Sequence, residues 1–195
     1  MSQLYVIGED ALCCALGESL ARHVLGWALA QPPVDTKGVT KLQQSLERYA
    51  GLARVHPVLC VADTDRGCPV DWLQRWKPKH ASQKFLLRLA VTEAESWLLA
   101  DSQALASFLG IPKSRISPRP DELNDPTREI LRLARQSRKR LIRQEVVSAS
   151  DASKAGMGYN WHLCTFVREY WEPMRAMACS PSLTRTIHSL KNLAQ

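Results

Sequence analysis

The sequence predicts an α/β fold: a mostly parallel sheet flanked by helices, with a helical C-terminal part. Two observations carry that expectation. Short apolar runs rich in strand formers recur at 4–7, 57–62 and 84–91, and a segment of helical character follows each. Strands separated by helices are joined by crossovers, which leave the strands parallel. The 195 residues suit one domain over 1–195, or a core with one insertion, and not two independent folds.

Leu4-Tyr5-Val6-Ile7 reads as the first strand, punctuated by Gly8. Leu12, Ala15, Leu16, Ser19, Leu20, His23 and Val24 then recur at helical spacing, and Gln31-Pro32-Pro33 is a loop. Over 39–52, Leu42, Leu46, Tyr49 and Ala50 share one face of a helix. The second strand is apolar throughout, as a strand covered on both faces should be. It ends abruptly in Asp63-Thr64-Asp65-Arg66-Gly67, and a short helix at 71–76 precedes the third strand. Residues 93–100 read as a helix, with Asp101-Ser102 capping the next one and Gly110 ending it. Prolines 112, 118, 120 and 126 make 111–126 a loop, and 127–145 a single basic helix, so 111–150 is a loop plus a basic helical excursion. Gly156 and Gly158 place a loop at 150–159. In the helix at 160–171, Leu163, Phe166, Val167 and Tyr170 face the core. Ser180-Pro181, a capping residue followed by proline at the first helical position, opens a last helix to 193.

With 45% hydrophobic and 23% charged residues, the composition excludes a disordered chain, a collagen and a coiled-coil rod. No apolar run reaches the roughly 18 residues of a membrane span. The segment MSQLYVIGED lacks the long apolar region of a signal peptide, so the expectation is a cytoplasmic protein with no membrane attachment. Six cysteines, at 13, 14, 60, 68, 164 and 179, form no CxxC pair and read as buried free thiols rather than zinc ligands. The net charge of +7 favours an anionic partner.

Acids follow all three strands: Glu9 and Asp10 the first, Asp63 and Asp65 the second, Glu93 and Glu95 the third. In an open parallel sheet the carboxyl ends of the strands share one edge, where ligands bind, so these six carboxylates are expected to converge. In an extended segment residues two apart point the same way, which lets Asp63 and Asp65 face one ion. Gathered carboxylates repel and lose hydration, and a divalent cation removes both costs. Hard oxygen donors suit Mg²⁺ or Mn²⁺. A DxD pair after a strand also fits a solvated turn, and acids near helix starts also serve the macrodipole.

Seven basic residues lie between 128 and 143: Arg128, Arg132, Arg135, Arg138, Lys139, Arg140 and Arg143. On one helix, Arg128, Arg132, Arg135 and Lys139 share a face, which reads either as a solvated surface or as a phosphate-tracking one. Lys154, beside Gly156 and Gly158, could neutralise a phosphate oxygen if it lay near a metal. The tryptophans read as packing residues rather than base-stacking platforms. The sequence has no Walker A, GxGxxG, GxSxG or HExxH motif, so nucleotide hydrolysis would come from a partner.

A strand with a Glu-containing turn, a later strand ending in DxD and a basic region after it resemble the Toprim pattern of primases, topoisomerases and OLD-type nucleases. VTEAESWLLAD (91–101), SKAGMGYN (153–160) and SPSLTRTIHSLKNL (180–193) resemble a family of small stand-alone Toprim-like bacterial proteins. Those proteins are often encoded beside an ABC-type ATPase in phage-defence systems. The resemblance implies a Toprim-like domain and a Mg²⁺- or Mn²⁺-dependent endonuclease acting on DNA or RNA. It also implies an ABC-type or SMC-like ATPase partner and allows a homo-oligomer. By the same resemblance Glu9, Asp63, Asp65 and Lys154 would be catalytic. Glu9, Asp63, Asp65, Glu93 and Glu95 would be metal ligands, and the basic run would hold the nucleic acid. Gly8 precedes Glu9 where family members show Glu before Gly, so Asp10 stands as the alternative to Glu9. The other reading is a non-catalytic subunit of the same fold that binds or regulates the ATPase.

Overall fold

A computed structural model describes residues 3–65 and 67–194. Arg66, part of the run that ends the second strand, lies outside the described residues. The first half of the chain runs β1 (Gln3–Gly8), α1 (Ala11–Leu20), a π-helical turn (Ala21–Leu25), β2 (Ala28–Leu29) and β3 (Val34–Asp35). It continues as α2 (Val39–Leu52), β4 (Val58–Asp63), α3 (Pro69–Trp76) and β5 (Phe85–Ala90). The second half is helical: α4 (Glu95–Ala100), α5 (Ser102–Leu109), α6 (Pro126–Arg135), α7 (Arg140–Glu145), α8 (Tyr159–Glu169), α9 (Pro173–Ala176) and α10 (Pro181–Leu193).

Every strand pairing is parallel. The order is β2-β1-β4-β5, and β3 pairs with the same central strand β1 further along. Gln3 and Leu4 of β1 meet β2, while Ile7 and Gly8 meet β3. The α/β expectation with a mostly parallel sheet and a helical C-terminal part therefore holds.

Side-chain alternation along the strands divides the core between the two faces. Leu4, Val6, Leu59, Val61, Leu86 and Ala90 pack with residues of α1, α4, α5, α6, α8 and α10. Ile7, Val58, Cys60, Ala62, Phe85, Leu87 and Leu89 pack with α2 and α3. Both faces are covered, which is why the strands are nearly continuous apolar runs. Leu42, Leu46, Tyr49 and Ala50 are buried on α2 as their spacing predicts. Trp97 and Trp171 are fully buried on the helical side. The Trp97 indole donates to Ser182 Oγ at 2.8 Å, and the Trp171 indole to the Trp97 carbonyl at 2.9 Å.

Several capping expectations hold. Asp101 accepts from the Ala104 N–H, Gly110 closes α5 with φ +66°, and Ser180 accepts from the Leu183 N–H ahead of Pro181. Others need correction. The basic segment 127–145 is two helices, not one. Ser137 accounts for the break: its buried hydroxyl bonds the Leu109 carbonyl and accepts from the Lys139 N–H, diverting the backbone from helix. Lys139 thus precedes α7 instead of continuing the α6 face. Tyr170, expected in the core, is 50% exposed. All six cysteines are free, but Cys68 is exposed and Cys179 only partly covered, against the expectation of burial. No described helix is long and apolar enough to cross a membrane.

Candidate active site

The parallel register brings the ends of β1, β4 and β5 to one edge, with Gly8 level with Val61 and Asp63 level with Ala90. Glu9 follows β1 directly, and its N–H donates to the Val61 carbonyl. Its carboxylate accepts from the Asp63 N–H at 3.2 Å, so the first acid lies against the end of the next strand. Gly8 makes that approach feasible: a Cβ there would stand 2.5 Å from the backbone nitrogen of Cys14. The Gly-Glu order thus reflects close packing of the turn on the first turn of α1.

Asp63 is the centre of the cluster. Burial pushes its carboxyl well above the usual carboxylate range, and the charges of Glu95, Glu9, Asp10 and Asp65 raise it further. The Cys13 thiol donates a long contact to Asp63 Oδ1 at 3.9 Å, and burial with these acids raises the thiol as well. Glu9 is also raised, mainly by burial, against the lowering effect of the Asp63 N–H. Glu95 is buried and its carboxyl is pushed up to about 7 by that burial, opposed by the Tyr159 hydroxyl, which donates to Oε1 at 2.7 Å.

The remaining acids are committed differently. Asp10 caps α1, accepting from the Cys13 N–H at 2.8 Å, while its charge still bears on Asp63. Glu93 accepts from the Thr127 N–H at 2.7 Å, inside the first turn of α6. It therefore ties the end of β5 to the basic helix, a role the strand-end pattern did not suggest. Asp65 is exposed with φ +45°. The strand stops at Asp63, so the period-two geometry expected to point Asp63 and Asp65 the same way does not reach Asp65. A left-handed conformation is costly for a residue other than glycine and tends to persist at functional turns. Here it is braced by the Asp65 N–H on the Thr92 carbonyl.

Lys154 is exposed and pairs with Asp151 at 3.4 Å, not with any of the six acids. Its loop is held by a bridge between Val147 and Ala155. A Cβ on Gly156 would stand 2.3 Å from the Glu145 carbonyl oxygen, so glycine lets the loop lie on the end of α7. The link from this block to the acids is the hydrogen bond from Tyr159 to Glu95. Reasoning from strand ends missed Tyr159 and Cys13, although Tyr159 stands in the quoted block 153–160.

Of the basic run, Arg128, Arg132, Arg135, Arg138, Lys139, Arg140 and Arg143 are all exposed. Arg132 is held by Glu129 through two bonds of 2.6 and 2.7 Å, and Arg143 by the Ser137 carbonyl. Arg128 and Arg135 line a cavity of about 590 Å³ between α6 and the 151–153 loop.

Among the described residues, no Lys or Arg forms an ion pair with any of the six acids. Nor do any three His, Cys, Asp or Glu side chains there stand close enough to hold one metal ion. Carboxylate oxygens are the donors that Mg²⁺ or Mn²⁺ prefer, but the described acids are not spaced to surround one ion. No family model, curated protein or solved structure matches the chain.

Proposed function

We propose that this protein is a Toprim-like, metal-dependent endonuclease that hydrolyses phosphodiester bonds of DNA or RNA, working beside an ABC-type or SMC-like ATPase in phage defence. One observation carries the reading. Asp63 is crowded by the charges of Glu9, Asp10, Asp65 and Glu95, and none of these acids has a cationic partner among the described residues. Such a cluster is stabilised either by taking up protons or by taking up a divalent cation. Glu9, Asp63 and Asp65, with Glu95 in support, would have to draw together to hold Mg²⁺ or Mn²⁺, since no three described acids stand close enough for one ion. The ion would supply polarisation of the scissile phosphate and activation of water. Glu93 is assigned to anchoring α6 rather than to the metal, because its carboxylate accepts from Thr127.

In this reading Glu9 and Asp63 hold the site at the ends of β1 and β4. Tyr159 orients Glu95, and α6 and α7 steer the polyanion. Lys154 would have to leave Asp151 to reach a phosphate. A cytoplasmic location and association with nucleic acid and an ATPase belong to the same proposal.

The test is an Mg²⁺- and Mn²⁺-supplemented nuclease assay on single- and double-stranded DNA and RNA, with and without the ATPase, comparing wild type with Asp63→Asn. Cleavage by wild type and at least 100-fold less by Asp63→Asn is expected, in line with loss of a group essential to metal catalysis. Equal cleavage by both proteins removes the reading. The second reading, a non-catalytic subunit, draws on the spacing of the acids, no three of which stand close enough for one ion among the described residues. It predicts ATPase binding that neither EDTA nor Asp63→Asn alters.

A further inference from the structure

We propose that the groove between α7 and α8 binds single-stranded nucleic acid, stacking bases on its aromatic floor and holding phosphates on its cationic rim. The proposal does not rest on the carboxylate cluster.

The groove encloses about 840 Å³, with Phe108, Leu141, Trp161 and Tyr170 among its apolar lining. Leu141, Trp161 and Tyr170 are 64%, 65% and 50% exposed. Single exposed apolar side chains are ordinary, but several gathered in one concavity mark a binding surface. The Trp161 ring meets His162 edge-on at 4.8 Å, and His162 is itself fixed by Glu145 at 2.8 Å. Phe108 and Tyr170 contact each other at 5.6 Å. These rings are therefore placed rather than loose.

The rim supplies positive charge. Lys139 stands 5.5 Å over the Phe108 ring, and Arg140 makes no ion pair among the described residues. Arg168 bonds Glu18 through Nε at 3.0 Å. With Arg168 paired to Glu18, Lys139 and Arg140 supply the rim's free positive charge, against Glu169 as the one acid in the lining. Exposed Arg138 and Arg143 continue the positive surface alongside. Aromatic faces with a basic track are the chemistry of single-strand grooves, because every base offers a π face and every nucleotide a phosphate. A duplex hides its base faces and offers this floor nothing.

The test is fluorescence anisotropy of a dye-labelled oligo-dT of about 12 nucleotides, within the site size of such grooves, and of a matching duplex. EDTA is present throughout, so cleavage and metal play no part. Trp161→Ala and Tyr170→Ala should each weaken the single strand about tenfold, and duplex binding much less. Lys139→Ala/Arg140→Ala should weaken it and flatten the salt dependence by about one to two phosphate contacts. Val55→Ala, at an exposed apolar side chain outside the groove, should bind as wild type does. Circular dichroism identifies folded variants, and Trp161→Phe, which keeps a stacking ring, should retain most of the affinity. Three results would overturn the proposal: undiminished oligo-dT binding by folded Trp161→Ala, equal loss on single strand and duplex, or a dimer that Trp161→Ala dissociates. The last would assign the groove to a second copy of the chain.

Discussion

The Tyr159 hydroxyl donates to Glu95 at 2.7 Å, joining the first residue of α8 to the first residue of α4 beneath the sheet edge. Two sequence blocks with no local reason to meet are thus fastened at one buried carboxyl. Burial raises the Glu95 carboxyl and the bond partly offsets it, so the phenol makes that acid easier to ionise.

Tyr159→Phe removes the donor and keeps the ring. The Glu95 carboxyl should then rise above its value of about 7 in the wild type. Titration of the glutamate side-chain carbons by NMR reads that shift. The loss of a buried bond to a charged partner should also cost about 1.5–3 kcal/mol in urea denaturation above neutral pH. An unmoved Glu95 titration would mean that the phenol does not tune it.

Glu95 also gives stability a pH dependence. Its carboxyl binds protons more tightly folded, at about 7, than unfolded, near the ordinary value of 4.5. The folded state therefore holds more protons between those values, and stability falls as pH rises through that window. Glu95→Gln should flatten this part of the profile. Thermal melts should put the variant level with wild type near pH 4.5 and above it near pH 8, by several degrees. A wild-type profile that rises from pH 5 to 7.5 and is unaltered by Glu95→Gln would contradict the assignment.

Asp101 is fully buried and accepts from Arg175 at 2.6 and 2.7 Å, from the Glu172 N–H at 3.0 Å and from the Ala104 N–H at 3.2 Å. The last residue of the ESWLLAD block is thus structural: it caps α5 and pins the chain at the start of α9. Asp101→Ala should destabilise by about 2–3 kcal/mol, because it strands the Glu172 and Ala104 N–H groups, while the Arg175 side chain, 39% exposed, regains water. Equilibrium urea unfolding measures it, and a loss below about 1 kcal/mol would refute this role.

Arg88 lies in β5 among apolar neighbours, and its Nε is buried without a hydrogen-bond partner among the described residues. Burial also lowers its guanidinium. Arg88→Met keeps an unbranched stem and removes the orphaned donor, so it should raise stability by about 1 kcal/mol or more. A lower melting temperature for the variant would show that the guanidinium has a stabilising partner.

The three long strands and most helices could be read from the sequence because each carries its own periodicity or cap. The two-residue strands β2 and β3 could not, since so short a segment has no period and exists only through its pairing with β1. The break at Ser137 was hidden for a similar reason: it depends on the carbonyl of Leu109, which is distant in sequence. At the acid cluster, residue type and strand order led to Glu9, Asp63 and Glu95 at one sheet edge, where Asp63 feels the charges of the other two, though no three described acids stand within reach of one ion. The diversion of Glu93 to α6 and the left-handed turn at Asp65 follow from tertiary contacts that no spacing rule contains.

The all-parallel sheet has a consequence for how the chain is made. Tyr5 pairs with Val58, and Val58 with Phe85, so no strand finds its neighbour through a local hairpin. During synthesis β1 meets only the two-residue β2 and β3 before β4 emerges, and β4 must wait for β5, while apolar segments stand uncovered. Loop closure has to precede the contacts that reward it, so folding should be slow and sensitive to translation rate and chaperone supply.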